Sequence, residues 1–373
     1  MLTRVYIDNY QCFVNFTFKP KARQLILGTN GTGKSAFLSV LRSLRDFAVV
    51  GYKADQVFNI ETRTRWQTLP QQSFELEVKG NGGTYIYTLW VEIQEDRSKS
   101  RVIKESLDFG ERPLLLFQKD QVHLYDDKHV KKATYPFDSD RSAMAVLGQR
   151  KTSSKLEWFK QWLNKLYCIK LDPSRMGAEA KGQDDYPEDD LENFAAWYES
   201  IIHEQTGSFN LQRSLREIFD GFDSLVLPRA GRTHVLRAVF SAERGKEDGS
   251  KRRRIEFDFD ELSDGQKALI ALYTILYCVI EPGTTICLDE PENFLALAEI
   301  QPWLLELSDQ LEETGAQAIL ISHHPELINL LAPDCGVVFS RSGLGPVRVE
   351  PYRPDKIGKL RPSEQIARGW ERG

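Results

Sequence analysis

Two stretches near the N-terminus, residues 2–8 and 13–18, place apolar side chains at every second position (Val5 and Ile7; Phe16 and Phe18). That is the period of a strand with one buried face. A short apolar run over 24–27 leads into a glycine-rich stretch. Beyond it Leu38, Leu41 and Leu44 return at helical spacing, which predicts a helix from Lys34 to about Asp46. Residues 47–72 carry no clear period. Phe74, Leu76 and Val78 then alternate, and Asn81-Gly82-Gly83 turns the chain into TYIYTLWVEI. Residues 101–109, 114–118 and 121–125 repeat the pattern, which predicts an antiparallel meander.

Near residue 140 the period lengthens. SSKLEWFKQWLNKLY sets Ser154 and Glu157 at capping-box spacing, with Leu156, Phe159, Leu163 and Leu166 on one helical face. The glycine- and acid-rich stretch 177–190 reads as a mobile loop. Helices are expected over 190–204 and 210–220, with Gly221 as C-cap. Strands are expected over 223–227, 233–241 and 253–259. The remainder alternates: helix 264–280, strand 284–289, helix 297–314, strand 317–321, helix 325–331, strand 336–340. Such alternation behind a glycine loop predicts a mainly parallel sheet.

Composition narrows the class. Of 373 residues, 41% are hydrophobic and 28% charged, enough for a substantial core and against disorder throughout. A net charge of −5 argues against a globally basic nucleic-acid binder and leaves a local basic face open. The five cysteines are scattered without a CxxC pair, as expected for reduced thiols of a cytoplasmic protein. No apolar run approaches the roughly 18 residues of a membrane span, and the N-terminus has no signal-peptide pattern. We therefore expect a cytoplasmic protein with no membrane partner.

Four stretches carry candidate chemistry. GTNGTGKS (28–35) fits G-x-x-x-x-G-K-[ST], in which glycines turn backbone N–H groups around phosphate oxygens and the next helix adds its positive end. There Lys34 reaches phosphate as a point charge and Ser35 can ligate Mg²⁺. A simple glycine turn is the competing reading. TTICLDEPENF (284–294) ends an apolar strand in Asp289-Glu290, a metal-holding carboxylate beside one able to deprotonate water. Acidic pairs after strands are common in any protein. ELSDGQKALIAL (261–272) opens a helix behind Ser263 as N-cap, which an ordinary capped helix would also do. AILISHHPELI (318–328) brings His323 to the C-terminal end of a strand, where parallel sheets bind ligands. A His323–His324 metal pair is the alternative; neighbouring side chains in an extended segment point apart, and no third ligand is evident.

Along the chain the four run glycine loop, LSxGQ-like segment, apolar-Asp-Glu and strand-His, and in that order, with Asp289 26 positions after Ser263 and His323 34 after Asp289, they resemble the ABC-type ATPases. The resemblance covers roughly residues 1–45 and 255–340, with an extended insert between. It implies an α/β P-loop ABC-type ATPase head with a mainly parallel core sheet, an antiparallel β subdomain and a helical insert. The expected divisions are lobe I with the Walker A loop and meander (1–135), helical insert (136–222), lobe II with signature, Walker B and switch histidine (223–351), and a C-terminal tail (352–373). By the resemblance, ATP is bound by Asn30, Gly31, Thr32, Gly33, Lys34, Ser35 and Ala36, and by Ser263, Gly265 and Gln266 of the signature. Ser35 and Asp289 hold Mg²⁺. Glu290 is the general base, His323 senses the γ-phosphate, and Lys34 is counted with the catalytic groups; His324 has no assigned role. The resemblance further implies a homodimer or higher oligomer in which the signature of one copy completes the nucleotide site of another. Gln67, Gln71 and Gln149 are weak candidates for the glutamine such proteins use between lobes.

The opening LTRVYIDNYQCFVNFTF and the GTNGTGKS form resemble RecF, SMC and OLD-type ATPases. DEPENF, ISHHPELI, DLENFAAWYESI and SLREIFDGFDSLVL resemble the OLD-like AAA_21 group. Members of that group commonly act in prokaryotic genome conflict beside a separately encoded nuclease or toxic effector. The expectation is a nucleotide-driven switch that controls such an effector in anti-phage defence. The chain departs from OLD-type proteins in leaving no room for a Toprim nuclease, and from SMC proteins in having no long coiled coil. A RecF-like ATP-dependent DNA-repair clamp is the alternative, although PENFLAL replaces the S-E-L-D-like loop of that branch. A non-hydrolysing nucleotide-binding scaffold is a third reading. Nucleic acid could be met by the basic run Lys251, Arg252, Arg253 and Arg254, whose bland reading is a solvated hairpin tip. Trp158, Trp162 and Trp197 read as core or partner-contact residues, and the acidic run 184–190 as a solvated loop.

Overall fold

Val5 and Ile7 turn inward from the first strand, as the alternation predicts, and Leu2 joins them across a register shift between Leu2 and Arg4. The chain is described here from a computed structural model covering residues 1–94, 99–147, 153–202, 205–242, 253–353 and 360–368. In chain order the first elements are β1 (Leu2–Asp8), β2 (Phe16–Phe18), β3 (Arg23–Leu27), α1 (Lys34–Arg45), α2 (Ala54–Val57) and the meander β4 (Gln71–Gly80), β5 (Gly83–Gln94), β6 (Lys99–Phe109), β7 (Arg112–Gln118), β8 (Gln121–Tyr125) and β9 (Lys131–Pro136). Then come α3 (Ala143–Leu147), α4 (Ser154–Asn164), β10 (Leu166–Ile169), β11 (Glu179–Ala180), α5 (Phe194–Ile201), α6 (Gln205–Ile218), β12 (Phe222–Val226), β13 (Arg229–Ala230), β14 (Thr233–Val235), β15 (Arg237–Ala242) and β16 (Arg253–Asp258). The last are α7 (Asp264–Thr274), β17 (Thr285–Asp289), α8 (Leu297–Thr314), β18 (Gln317–Ile321), α9 (Pro325–Cys335), β19 (Gly336–Ser340), β20 (Arg348–Pro351) and α10 (Pro362–Ala367).

Two compact units form. The first holds Met1–Cys168, Gly283–Cys287 and Gln317–Gly373; the second holds Ile169–Pro282 and Leu288–Ala316. In the first, an eight-stranded antiparallel sheet runs β2-β1-β4-β5-β6-β7-β8-β9, and a six-stranded sheet runs β10-β17-β18-β3-β19-β20. β18 and β19 both pair with β3 in parallel, Ala318 facing Arg23 and Ile321 facing Ile26 on one side, Val337 facing Ile26 on the other. Gln317 joins the two sheets. Its buried Oε1 accepts from the Leu2 amide (2.9 Å) and Thr285 Oγ1 (3.2 Å), and its Nε2 donates to the carbonyls of Leu2 and Lys21, both at 2.9 Å. Phe18, Phe37 and Phe339 meet edge-on at 5.4–6.0 Å, fixing α1 against β19.

The second unit carries two small antiparallel sheets, β11-β14-β13 and β12-β15-β16, with α5 to α8. Phe194 stacks on Phe259 at 5.1 Å, and the Trp303 indole donates to the Leu272 carbonyl at 3.1 Å. Trp162 and Trp197 are buried, and Trp158 stacks on Tyr85 at 4.9 Å, so the tryptophans serve packing.

Several expectations change. Leu166, expected on the α4 face, lies in β10, because the helix ends at Asn164. The N-cap of α4 is Ser153, not Ser154: the Ser153 hydroxyl accepts from the Leu156 amide, while Ser154 gives both its amide (3.0 Å) and hydroxyl (2.7 Å) to Asp127. The strand expected over 233–241 breaks at Leu236, and its halves join different sheets. The helices α1 and α7 each run on into one π-helical turn, Asp46–Val50 and Ile275–Val279. The stretch expected as a mobile loop is tied down: Arg175 pairs with Asp190 (2.5 Å) and Glu192, and Asn193 Nδ2 donates to Asp184 and to the Tyr186 carbonyl, both at 2.9 Å.

Asp127 anchors the start of α4 to the meander. Partial burial alone would raise its pKa. The hydroxyl of Ser153, the Lys155 amide, and the hydroxyl and amide of Ser154 outweigh that and hold the carboxylate well below its ordinary range. A depressed folded pKa stabilises above the unfolded value of about 4 and loses that contribution as pH falls below it. Asp127→Ala is expected to cost about 1–2 kcal/mol at pH 7. The gap from wild type should narrow at pH 3 in urea titrations; a gap that stays constant or widens in acid contradicts the assignment.

Candidate functional site

The chemistry-bearing residues divide between the two units. In the first, β3 ends at Leu27 and the glycine loop leads into α1. Gly28, Gly31 and Gly33 all have positive φ (+143°, +80° and +92°), a conformation that costs other residues about 1–2 kcal/mol. At Gly28 space also forbids a side chain: a Cβ there would lie 2.3 Å from the Phe339 carbonyl oxygen of β19. At Gly31 nothing lies within 4 Å, so the loop is open on that side. Asn30, Gly31 and Ser35 are exposed, Ala36 is half-buried, and Thr32 is buried with its hydroxyl on the Thr29 carbonyl (2.8 Å). The Lys34 ammonium lies folded within the loop, donating to the carbonyls of Gly28 (2.7 Å) and Thr29 (3.1 Å). α1 begins at Gly33 with no side-chain cap and no acidic residue in its first turn. Neither a cap nor an acidic side chain of its own first turn thus competes for its leading N–H groups, which suits them to an external anion.

β18 lies beside β3 with its end in register, so Ser322 and His323 emerge next to the start of the glycine loop. His323 is exposed. His324, which the sequence left without a role, is the N-cap of α9: its Nδ1 accepts from the Glu326 amide at 3.3 Å, and its own amide donates to Ser322 Oγ at 2.9 Å. An accepting Nδ1 does not suit a metal pair with His323. Among the described residues no group of three or more His, Cys, Asp and Glu is placed to hold a metal ion.

In the second unit, Ser263 caps α7 in a reciprocal box. Its hydroxyl accepts from the Gln266 amide (3.3 Å), while Gln266 Oε1 accepts from the Ser263 amide (3.0 Å) and hydroxyl (3.1 Å). Ser263 is exposed. Gly265 follows, and a Cβ there would lie 3.1 Å from the Phe294 carbonyl oxygen, which brings the N-terminus of α7 to the loop after β17. Asp289, nearly buried, ends β17. Glu290 takes φ +52° and Phe294 takes φ +75°, so the loop between them is tightly wound. The Asn293 side-chain amide donates to Glu290 Oε2 at 2.9 Å, and the Asn293 backbone amide donates to the Glu290 carbonyl at 3.1 Å. Sequence reading quoted Asn293 within DEPENF but gave it no role; only the turn brings it back onto the carboxylate.

Of the basic run, Lys251 and Arg252 fall outside the described residues. Arg253 begins β16, and Arg254 is paired with Asp223 at 3.0 Å. Of the glutamine candidates, Gln149 also lies outside the described residues, and Gln71 Nε2 donates to Ser73 Oγ at 2.9 Å. All five cysteines are free thiols. No helix among the described residues is long and apolar enough to cross a membrane.

A profile of the family described as "AAA domain, putative AbiEii toxin, Type IV TA system" matches residues 25–329, from β3 to the first turns of α9. The chain belongs to this family, AAA_21. The match takes in the glycine loop, α7, β17 and His323 together. Among solved structures, this AAA_21 protein is similar to the SMC head domain from Thermotoga maritima (13% identity, TM-score 0.48, 95% of this chain and 99% of that one). It is also similar to an SMC head bound to the C-winged helix domain of ScpA (11% identity, TM-score 0.50, 94% and 98% of the two chains). The shared feature is the fold, an SMC head-like ATPase fold with a parallel-containing sheet, antiparallel sheets and several helices. No curated protein matches the chain significantly.

The geometry around Gly28 yields a direct test. Gly31→Ala meets only backbone strain, about 1–2 kcal/mol. Gly28→Ala takes a φ of +143°, outside the αL well, and meets a main-chain oxygen as well, and is expected to cost on the order of 1–3 kcal/mol more. Urea midpoints of the two variants check this; equal losses would contradict the crowding of Gly28 against β19.

Proposed function

We propose that this AAA_21 protein is a Mg²⁺-dependent ATP hydrolase that dimerises around nucleotide and switches a separately encoded nuclease or other effector, in anti-phage defence. The observation that carries the proposal is the loop Gly28–Ser35: positive-φ glycines, an open side at Gly31, an uncapped helix start, and the Lys34 ammonium held inside. Those donors fit a triphosphate. Asn30 to Ala36 would hold it through backbone N–H groups, with Lys34 on the β and γ phosphates. Ser35 and Asp289 supply the hard oxygen ligands Mg²⁺ prefers. Bound Mg²⁺ would offset charge on the β and γ oxygens.

The chain's own groups then divide the work. Glu290 is the base that takes a proton from the attacking water, and the tight turn to Asn293 orients its carboxylate. His323 senses the γ-phosphate from the end of β18. Ser263, Gly265 and Gln266 face the nucleotide of a second copy: the Ser263–Gln266 box fixes the start of α7, so its N–H groups are ready for that anion. The γ-phosphate holds two copies together, and its loss releases them, an order-to-order switch that an effector can read.

Lys34→Ala is expected to weaken ATP binding roughly 10- to 150-fold, the worth of a charge-assisted contact. Glu290→Gln should keep ATP binding while turnover falls roughly 10²–10⁴-fold, and should accumulate an ATP-bound dimer. Calorimetry, phosphate release and light scattering measure these. A Glu290→Gln protein that binds ATP yet stays monomeric at every concentration contradicts the switch. For the defence role, cells carrying the gene with its neighbours should lower phage plating efficiency, and Lys34→Ala should restore it; plating unaffected by the intact genes across a broad phage panel contradicts that role.

A further inference from the structure

The first unit holds a cavity that none of the chemistry-bearing residues described above line. Its volume is about 350 Å³, near the low end of small-ligand sites (about 300–1,000 Å³). Ser340, Arg341, Ser342, Gly345, Pro346 and Arg348 line it. They form the end of β19, the start of β20 and the turn between, where Ser340 pairs with Arg348. Two arginines and no carboxylate make the lining basic.

Three contacts place this turn beside the glycine loop. The Phe339 carbonyl, just before the cavity, is the group that excludes a side chain from Gly28. Val347, between the lining residues Pro346 and Arg348, donates its amide to the Cys12 carbonyl at 3.1 Å. Val347 Cγ2 and Cys12 Sγ both crowd Gly33, at 2.9 and 2.8 Å from where its Cβ would stand. The cavity therefore belongs to the same end of the parallel sheet as the phosphate-type loop, one strand over from β3.

Trp66 completes the arrangement. The Arg341 guanidinium sits over the Trp66 ring, 5.0 Å from its centroid. It cannot swing away cheaply: Nε donates to the Gly345 carbonyl (2.6 Å) and Nη2 to the Leu344 carbonyl (3.0 Å). The Trp66 segment is itself tied to the Tyr10–Phe13 turn, because the Thr64 amide donates to the Asn9 carbonyl (3.4 Å) and the Gln11 amide to the Thr62 carbonyl (2.7 Å). Trp66 remains 42% exposed. A large accessible ring and a tethered planar cation above it form a surface suited to flat aromatic ligands.

The direction of a bound nucleotide follows from the strand order. On one side of β3, β18 delivers His323; on the other, β19 delivers Arg341. If the γ-phosphate end faces His323, as the proposed function requires, the nucleoside end leaves the loop on the β19 side. We infer that the cavity at the β19–β20 turn, with Trp66 and Arg341 as its stacking surface, receives the base and ribose of a nucleoside triphosphate whose phosphates lie in the Gly28–Ser35 loop. The inference rests on the phosphate-binding reading of that loop and adds where the nucleoside lies.

Inorganic tripolyphosphate separates the two readings, since it offers the phosphates without the nucleoside. Calorimetry of the full chain with ATP and with tripolyphosphate, each with Mg²⁺, gives two affinities for each protein. Trp66→Ala should weaken ATP roughly 5- to 150-fold, the range base–aromatic stacking supplies, and leave tripolyphosphate within about twofold of wild type. Arg341→Gln should act in the same direction, and Trp66→Phe, which keeps a ring, should recover most of the ATP affinity. Thermal melts verify that each variant is folded. Folded Trp66→Ala and Arg341→Gln proteins that bind ATP like wild type would overturn the inference, as would variants that lose ATP and tripolyphosphate in equal proportion. Wild-type protein binding neither ligand would instead overturn the phosphate-loop reading, and the nucleoside site with it.

Discussion

The structure turns on one steric constraint: the β19 main chain passes so close to the end of β3 that only a glycine fits at position 28. That crowding bends the chain away from the sheet as it leaves Leu27. The two following positive-φ glycines complete the bend, and α1 starts without a cap. The Lys34 ammonium then has nearby carbonyl oxygens to hold, those of Gly28 and Thr29. Behind the loop, the Phe18–Phe37–Phe339 cluster locks α1 to β19, so the cradle is shaped from both sides by buried aromatic packing. A loop built this way is preorganised, and preorganised donors bind an anion without reordering at the moment of binding.

The same economy appears at the other chemical groups. Each is set at an element boundary by local hydrogen bonds. Gln266 and Ser263 cap one another at the start of α7, Asn293 and Glu290 bond across a tight turn after β17, and His324 caps α9 while His323 stays exposed. Two adjacent histidines thus divide into a structural one and an accessible one. Strand ends and helix starts are where backbone groups lack partners, and these polar side chains sit there.

Much of this was legible in the chain. The glycine loop, the meander, and the alternating helices and strands after residue 264 follow from periodicity and turn chemistry, because each motif is local. Other features were not. Leu166 continues the 3.6-residue pattern of α4, and only pairing into a distant sheet makes it a strand. Residues 233–241 read as one strand, but the break at Leu236 depends on two sheets competing for its halves. Ser153 displaces Ser154 as N-cap because Asp127, far earlier in the chain, takes the Ser154 donors. Trp66 and Arg341 carry no motif at all; β19 and the segment after α2 bring them together. Nonlocal pairing decides each of these cases, and periodicity does not report it.

The central claim is that two copies clasp a triphosphate between the glycine loop of one and the start of α7 of the other. Site-directed cross-linking measures that contact most directly. Asn30→Cys protein mixed with Asp264→Cys protein, each in a Glu290→Gln background, should form a mixed cross-linked dimer with a short bis-maleimide when ATP and Mg²⁺ are present, and little without them. ATP-bound protein that yields no mixed dimer, or a cross-link that forms equally without nucleotide, would contradict the account.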